Sequence, residues 1–227
     1  MSDYFFVFGR TPQLSLFELR SFFPDFAPVS DVGAIVSDTS IEPNEIIDRL
    51  GGTVKIAECL GIVSHLDPDA LVSFIMQGLT PGQSVTFGLS RFDGETIPRS
   101  LLATIKTRLS EQGISARFIE PKHENELSSV VVEKQQVSEF CIFSHNGKTH
   151  IAKTIAVQAF EEWNKRDYGR PFSDPKSGML PPKVARMVIN IARGFLPLTM
   201  NHKPFTMVDP FCGMGTILAE ALMTGWN

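Results

Sequence analysis

An acidic residue, two glycines and a threonine lie close together in the segment Asp209-Pro-Phe-Cys-Gly-Met-Gly-Thr216. The apolar run Phe205–Val208 before it predicts a buried strand, and Thr216–Met223 after it predicts a helix. In open α/β sheets, ligands bind where strands lead into helices. Glycine lets the backbone turn sharply against a flat ligand, and Asp209 places an acceptor at the strand end. The segment therefore predicts a loop that binds a ligand with a flat part and a cationic part.

Thr216 is expected to cap the following helix, and Glu220 to face outward one turn later. A dinucleotide-binding fingerprint would need a third glycine where this sequence has Leu218, and a P-loop would need a lysine that is absent. An ordinary strand-to-helix turn could hold two glycines by chance. The full string Asp-Pro-Phe-Cys-Gly-x-Gly-Thr is much more specific than two glycines alone.

This string resembles the first motif of S-adenosylmethionine-dependent amino-group methyltransferases, which include DNA amino-methyltransferases and RNA guanine-N2 enzymes. The resemblance implies that Asp209 meets the amino acid part of the cofactor, directly or through water. Some of the DNA enzymes carry a catalytic (Asn/Asp/Ser)-Pro-Pro-aromatic tetrapeptide before the glycine loop. This sequence has none, because Leu180-Pro-Pro-Lys183 lacks the polar first residue and the aromatic last one. The motif order therefore favours the RNA enzymes.

Alternating short strands and amphipathic helices are predicted in the first third of the chain, which suits a small α+β sandwich of the ferredoxin-like kind. The predicted strands are Tyr4–Phe8, Gly33–Ser37 and Val54–Val63, and the predicted helices are Leu14–Phe23 and Pro43–Leu50.

The middle of the chain again alternates predicted strands and helices, although its sequence does not repeat that of the first third. The predicted helices are 67–79 and Pro98–Glu111, and the predicted strands are Val85–Leu89, Ala116–Ile119, Leu127–Glu133, Glu139–Ser144 and Thr149–Ala156. Asn146-Gly147 predicts a two-residue hairpin between the last two strands. An ordered linker rich in charge, aromatics and proline follows, and then a helix over Pro182–Ala192.

Charge is distributed unevenly along the chain, although the net charge is only -4. Residues 1–90 hold 4 Lys and Arg against 11 Asp and Glu, whereas residues 91–193 hold 16 against 12. The asymmetry indicates where a polyanion would bind, and a solvated mixed surface is the alternative. Three cysteines (Cys59, Cys141 and Cys212) form no CxxC pair, which indicates free thiols in a reducing cytoplasm. No apolar run is long enough to cross a bilayer.

Five motifs along the chain narrow the resemblance from amino-group methyltransferases in general to one family of RNA enzymes. In order they are Leu50-Gly-Gly-Thr-Val-Lys-Ile56, His123-Glu-Asn-Glu-Leu-Ser-Ser129, Arg166-Asp-Tyr-Gly-Arg-Pro171, Ser177-Gly-Met-Leu-Pro-Pro-Lys-Val-Ala185 and the Asp-Pro-Phe-Cys-Gly string. Together they resemble the THUMP-domain tRNA guanine-N2 methyltransferases over nearly the whole chain. The substrate implied is the exocyclic N2 of a guanine in tRNA.

The resemblance implies α+β N-terminal ferredoxin-like and THUMP domains, followed by the start of an α/β Rossmann-like methyltransferase domain. The implied boundaries are 1–65 for the ferredoxin-like domain, 66–160 for the THUMP domain, 161–180 for the linker and 181–227 for the truncated methyltransferase domain. The THUMP domain would hold the tRNA acceptor end. The expected cofactor residues are Asp209, Phe211, Cys212, Gly213, Gly215, Thr216, Met179, Leu180 and Pro181.

Arg166, Tyr168 and Arg170 are expected to contact RNA, the arginines at phosphate and the tyrosine by stacking. The alternative is an anchor at a domain joint, where arginine and tyrosine pack together. His123, Glu124 and Glu126 invite a metal interpretation, but the HExxH spacing and a nearby cysteine are absent, so a solvated or capping loop is expected instead.

The catalytic tetrapeptide is expected after Asn227, so residues 1–227 alone should not transfer a methyl group to tRNA. Two alternatives remain at this point, and a third is excluded. A THUMP RNA-binding module with a vestigial glycine loop would lack the tetrapeptide altogether, and a ribosomal RNA guanine methyltransferase would differ only in substrate. A THUMP-linked thiouridine synthase would need an ATP-binding Ser-Gly-Gly-x-Asp-Ser loop, which this sequence lacks.

Overall fold

The computed structural model describes residues 3–37, 40, 42–122, 125–169, 179–196 and 206–227. These ranges form a mixed α/β fold of eight strands and eight helices. The chain divides into two compact units: the first comprises residues 1–5 and 55–157, and the second comprises residues 6–54 and 158–227. Each unit therefore combines two separated segments of the chain, whereas the domains predicted from the sequence are continuous.

The elements have the following bounds. The strands are β1 (Asp3–Phe8), β2 (Ala27–Val29), β3 (Gly33–Ser37), β4 (Thr53–Val63), β5 (Ser84–Arg91), β6 (Ser115–Ile119), β7 (Ser138–His145) and β8 (Lys148–Val157). The helices are α1 (Pro12–Phe22), α2 (Pro43–Arg49), α3 (Pro68–Ile75), α4 (Arg99–Glu111), α5 (Ser129–Lys134), α6 (Phe160–Asp167), α7 (Pro182–Gly194) and α8 (Thr216–Met223).

The first unit contains strands in the order β4-β8-β7-β5-β6. β8 pairs antiparallel with β4 and β7, and β5 pairs parallel with β7 and β6. The β7–β8 hairpin turns at Asn146 and Gly147, whose φ angles of 51° and 71° are those of a turn with two left-handed residues. The hairpin that the sequence predicts is therefore confirmed.

Two helices cover the parallel part of this sheet. Leu71 and Ile75 of α3 share a core with Leu102 and Ile105 of α4 and with Phe87 of β5. These side chains repeat at three- and four-residue spacing along each helix, so one face of each helix is apolar. This buried face is what holds α3 and α4 on the sheet.

The second unit contains β2, β3 and the end of β1, with α1, α2, α6, α7 and α8. β2 and β3 form an antiparallel hairpin. α7 packs against α1 and α8, and it buries Ala185, Met187 and Ile189 completely or nearly so. Ile189 forms a cluster with Ala221 of α8 and Trp226. Thus α7 joins the N-terminal segment of the unit to the segment that carries the glycine loop.

The strand predicted over Leu127–Glu133 is wrong, because residues Ser129–Lys134 form α5. The run of three valines favours a strand by propensity, but Ser128 accepts the N–H of Val131 and begins a helix. Val132 then packs with Leu127 and Val137 in a small core. Tertiary packing and the cap override the β-propensity of the valines.

The segment predicted as an ordered linker over residues 161–180 contains most of α6, a helix that the sequence did not predict, and residues 170–178 lie outside the described ranges. Trp163 of α6 is buried, which explains why the segment is helical despite its many charges. Of the predicted strand Phe205–Val208, Phe205 lies outside the described ranges and residues 206–208 are not a strand. A strand needs a ladder of hydrogen bonds to a neighbour; among the described residues, the N–H of Met207 donates to the carbonyl of Asn227 at 2.8 Å.

Candidate functional site

The glycine loop holds its shape through short-range hydrogen bonds. The Asp209 carboxylate accepts the N–H of Phe211 at 3.1 Å, and the N–H of Gly215 donates to the Cys212 carbonyl at 2.7 Å. Gly213 and Gly215 have φ angles of 51° and 71°. A side chain at either position would be strained, because residues with a Cβ rarely adopt these angles. The two glycines therefore allow the loop to reverse direction just before α8.

A cavity of about 420 Å³ lies beside this loop. Its walls are Met179, Leu180, Asp209, Phe211, Cys212, Gly213, Met214, Thr216 and Ile217. The structure thus brings together two segments that the sequence separates by about thirty residues, and both had been assigned to the cofactor. Pro181 and Gly215 do not line the cavity; they occupy the N-cap positions of α7 and α8.

The composition of this cavity suits a ligand that has a flat apolar part and a cationic part. Met179 and Leu180 supply apolar wall, the Phe211 ring is 92% exposed, and Asp209 supplies a carboxylate. A Cβ added at Gly215 would meet no atom within 4 Å among the described residues, and a Cβ added at Gly213 would lie 3.9 Å from the carbonyl oxygen of Phe211. Backbone is therefore accessible on the side where a side chain would project, which fits a flat group approaching it.

Two expectations for α8 are wrong. Gly215, in the left-handed conformation, occupies the N-cap position, and Thr216 is the first residue of the helix. Glu220 does not face outward, because only 2% of it is exposed. A helix face can be assigned from sequence only by its apolar residues, and α8 has too few polar residues to distinguish its faces.

Glu220 is buried because two arginines pair with it. Its Oε2 atom lies 3.0 Å from Nη1 of Arg166 and 2.7 Å from Nη2 of Arg186. The Arg166 guanidinium also lies over the Trp163 ring, with 3.6 Å between its Cζ atom and the ring centroid. Burial lowers the pKa of Arg166, and the Glu220 carboxylate opposes that change. The three ionic groups join α6, α7 and α8.

The three residues predicted to contact RNA have different settings. Arg166 pairs with Glu220, and its guanidinium lies over the Trp163 ring. Tyr168 is 83% exposed and follows the end of α6. Arg170 lies outside the described residues.

A second carboxylate cluster in this unit was not expected from the sequence. Glu18 of α1 accepts the N–H groups of Gly51 and Gly52 at 2.8 Å each, and the amide of Asn190 at 2.6 Å. Burial raises the pKa of Glu18, and these donors act in the opposite direction. A Cβ on Gly52 would lie 2.4 Å from the Ser15 Oγ atom. The Leu50-Gly-Gly motif therefore serves the packing of α1 on α7, and its sequence signal was Glu18, one residue before the apolar Leu19 in α1.

The thiol beside the cavity is expected to react first with alkylating reagents. Cys212 is exposed, whereas burial raises the pKa of Cys59 to about 12 and also raises that of Cys141. Because the thiolate is the reactive form, the half-buried Cys59 and the buried Cys141 should both react slowly. Iodoacetamide at pH 8 followed by peptide mass spectrometry should find Cys212 modified first. Equal labelling of all three thiols in the folded protein would contradict this, and the Cys212→Ser variant serves as the control.

Within the described ranges, no group of His, Cys, Asp and Glu side chains is placed to hold a metal ion. His123 and Glu124 lie outside those ranges. None of the helices described is both long and apolar enough to cross a membrane.

The C-terminal segment of the chain matches a known protein family. Residues 182–227 match the family described as UPF0020: RMKL-like, methyltransferase domain. These residues begin at α7 and include the glycine loop and α8. No curated protein matches the chain.

Solved structures extend the comparison to the fold. TrmN from Thermus thermophilus is 12% identical with a TM-score of 0.54, and the match covers 100% of this chain and 62% of TrmN. A possible methylase from Clostridium difficile 630 is 14% identical with a TM-score of 0.48, covering 99% of this chain and 55% of that one. SMU.472, solved as a complex with SAH, is 15% identical with a TM-score of 0.45, covering 99% and 55%.

The chain spans less than two thirds of the length of each of these proteins. At such identities the likeness concerns the fold, and the match to TrmN exceeds a TM-score of 0.5. Residues 182–227 thus match a methyltransferase-domain family, and the chain has a fold similar to that of TrmN.

Proposed function

We propose that this chain forms the cofactor-binding part of an S-adenosylmethionine-dependent methyltransferase whose substrate is tRNA. The observation that carries the proposal is the cavity between Met179–Leu180 and the loop from Asp209 to Thr216. The match of residues 182–227 to a methyltransferase-domain family supports it independently. Bound S-adenosylmethionine would supply a methyl group on a positively charged sulfur atom.

The residues of the chain have defined tasks in this proposal. Asp209 accepts hydrogen bonds from the cationic amino acid part of the cofactor, and Met179 and Leu180 exclude water from its apolar side. Gly213 allows the backbone to lie against the cofactor without a Cβ between them. Alignment of the guanine N2 amine for transfer is assigned to none of the residues named here, because the sequence holds no (Asn/Asp/Ser)-Pro-Pro-aromatic tetrapeptide.

The RNA part of the proposal has separate support. Of the 21 Lys and Arg residues, 16 lie within residues 91–193, which follow an acidic N-terminal segment. This distribution suits a phosphate backbone as the partner. The motifs that resemble THUMP-domain tRNA guanine-N2 methyltransferases point to the same substrate class. The ferredoxin-like, THUMP, linker and methyltransferase boundaries of the sequence interpretation are part of this proposal.

Replacing Asp209 with alanine is expected to weaken S-adenosylmethionine binding about ten- to hundredfold, because a hydrogen bond to a charged group contributes roughly 1.5–3 kcal/mol. Isothermal titration calorimetry of the wild type and the variant measures this change. Asp25→Ala is the matched control, since Asp25 is an exposed aspartate in another part of the same unit.

Protection of Cys212 by two different ligands tests whether the cofactor binds at this cavity. Saturating S-adenosylhomocysteine should protect Cys212 from iodoacetamide, because this thiol lines the cavity. ATP at the same concentration should give less protection, because its triphosphate would face the Asp209 carboxylate. Wild-type affinity in Asp209→Ala, or binding of ATP in preference to S-adenosylmethionine, would refute the proposal.

A further inference from the structure

Two histidines lie side by side at the turn of the β7–β8 hairpin in the first unit. His145 ends β7, and His150 is the third residue of β8. Cross-strand pairing places His145 opposite Lys148 and Phe143 opposite His150, so these four side chains share one face of the hairpin. The ring centroids of the two histidines are 5.9 Å apart. We call His145, Lys148 and His150 the hairpin cluster.

Aromatic stacking holds the His150 ring in one orientation. The ring stacks on that of Phe143, with 5.2 Å between the centroids and 14° between the planes. Phe143 in turn stacks on Phe5 at 4.0 Å, and both phenylalanines are fully buried. His150 itself is half-buried. Because the stack fixes its ring beforehand, His150 loses little side-chain entropy when it contacts a ligand.

The charge of this face depends on the protonation of the two histidines. The charged groups that act on His150 come from three strands: His145 of β7, Lys148 of β8 and Asp3 of β1. The β4 residue paired with His150 is the uncharged Ile62. With both imidazoles neutral, the charges of Lys148 and Asp3 cancel. With both imidazoles protonated, three positive charges stand against one negative charge, so the face becomes positive as pH falls.

The acids on the opposite face of β7 are held by an arginine. Asp93 lies 3.5 Å from the Oγ atom of Ser144, whose side chain points away from that of His145. Arg91 pairs with Asp93 at 2.7 Å and with Glu95 at 2.6 Å. These two carboxylates are therefore directed at Arg91 and not at the hairpin cluster.

The surroundings of His150 favour its neutral form in the free protein. Burial lowers the pKa of His150, and the charges of His145 and Lys148 act in the same direction. A hydrogen bond to the His145 backbone and the charge of Asp3 oppose that change. His150 is therefore neutral at pH 7.5, whereas an anion beside it would favour the protonated form. Binding of an anion here takes up protons, so its affinity should rise as pH falls.

The turn beside the cluster is open to a long ligand. Asn146 and Gly147 are exposed, and a Cβ on Gly147 would meet no atom within 4 Å among the described residues. The Asn146 amide lies 3.0 Å from Nε2 of His145 and can turn its oxygen toward a protonated ring. Lysine and asparagine side chains are common contacts of nucleic acid phosphates. The hairpin also lies within residues 91–193, which hold 16 of the 21 Lys and Arg residues.

We infer that the hairpin cluster binds a backbone phosphate of the RNA substrate, and that proton uptake by His145 and His150 strengthens this binding as pH falls. The choice of RNA as the source of the phosphate rests on the proposed function. The cluster belongs to the first unit and the cavity beside the glycine loop to the second, so the cluster is not part of the cofactor site.

The test is the pH dependence of tRNA binding by the His145→Gln/His150→Gln double variant. Fluorescence anisotropy with labelled, unmodified tRNA at constant ionic strength should show wild-type affinity about tenfold or more higher at pH 5.5 than at pH 7.5. Each proton taken up on binding changes log K by up to about 1 per pH unit. The double variant should lose this dependence. His65→Gln is the matched control and should keep it, because His65 is an exposed histidine of the same unit.

Wild-type affinity that is equal at the two pH values would overturn the inference. A double variant that keeps the increase, or a His65→Gln variant that loses it, would overturn it as well. Proton NMR of the wild type needs no substitution, so it decides the matter even if the double variant is unfolded. The Hε1 resonances of His145 and His150 should titrate at higher pH in the tRNA complex than in the free protein, and unchanged midpoints would contradict the inference.

Calorimetry with S-adenosylmethionine separates this inference from the proposed function. The double variant should bind the cofactor with wild-type affinity. Cofactor binding without proton-linked tRNA binding would overturn the inference and leave the cofactor site standing. Histidine-dependent tRNA binding without cofactor binding would support the inference and refute the methyltransferase proposal.

Discussion

Replacing Lys55 with methionine is expected to lower the free energy of unfolding by about 3–5 kcal/mol, the usual cost of removing one partner of a buried ion pair. The Lys55 ammonium lies 2.6 Å from the Glu139 carboxylate, and their side chains are 1% and 0% exposed. Methionine preserves most of the side-chain volume but leaves the carboxylate without its counter-charge. The loss is electrostatic and does not arise from a cavity.

The surrounding hydrogen bonds make this pair part of a larger network. Lys55 also donates to the Leu127 carbonyl, and Glu139 accepts from the hydroxyls of Ser90 and Thr154. The Leu127 N–H in turn donates to the Ser90 hydroxyl at 2.8 Å. The network therefore fixes the chain at Leu127, just before α5, to the sheet of the first unit, and the removal of Lys55 should loosen that attachment.

Urea unfolding followed by far-UV circular dichroism measures the effect. The double variant Lys55→Met/Glu139→Leu provides the control, because replacing both charges with apolar groups removes the unpaired carboxylate. It should recover most of the stability that the single variant loses. A Lys55→Met variant within about 1 kcal/mol of the wild type would mean that the pair is unimportant, since an exposed pair contributes no more than that.

Replacing Glu220 with glutamine should have a comparable effect on the second unit, again about 3–5 kcal/mol. Glutamine keeps the shape of the side chain but removes the charge that the half-buried Arg166 and the buried Arg186 share. Arg166 and Arg186 would then repel each other, with Arg186 only 5% exposed. The attachment of α8 to α6 and α7 should weaken as a result.

Tryptophan fluorescence is the direct probe of this change. Both tryptophans of the chain, Trp163 and Trp226, lie in the second unit and are buried. The fluorescence transition of Glu220→Gln should move to a lower urea concentration. Glu45→Gln, at an exposed position of α2 in the same unit, should unfold as the wild type does. If both variants unfold alike, Glu220 contributes no more than a surface charge.

Local sequence signals predicted most elements of the fold. The Asn146-Gly147 hairpin and α8 follow from turn chemistry and from the glycine that precedes the helix, which act over a few residues. α5 was missed because its cap and its packing partners outweigh the strand propensity of its valines. α6 was missed because its stability depends on Trp163, whose burial against other elements no local pattern reveals.

In the candidate site, too, local features could be predicted from the sequence and contacts between distant segments could not. The glycine loop is readable from sequence, because its residue types and spacing are specific and continuous. Its meeting with Met179 and Leu180 was expected only from resemblance, and the described geometry brings the two segments to one cavity. The Glu18 and Glu220 clusters join residues as far apart as 172 positions. Such pairings depend on tertiary packing, which the order of residues does not specify.

We propose S-adenosylmethionine as the ligand of the cavity between Met179–Leu180 and the glycine loop. The most direct measurement is an amide chemical-shift titration of the isotopically labelled protein with S-adenosylhomocysteine. The largest shifts should fall on the N–H groups of residues 179–180 and 211–217, with Gly213 and Gly215 among them. Saturation with no shifts in these two segments, or with the largest shifts in the first unit, would contradict it.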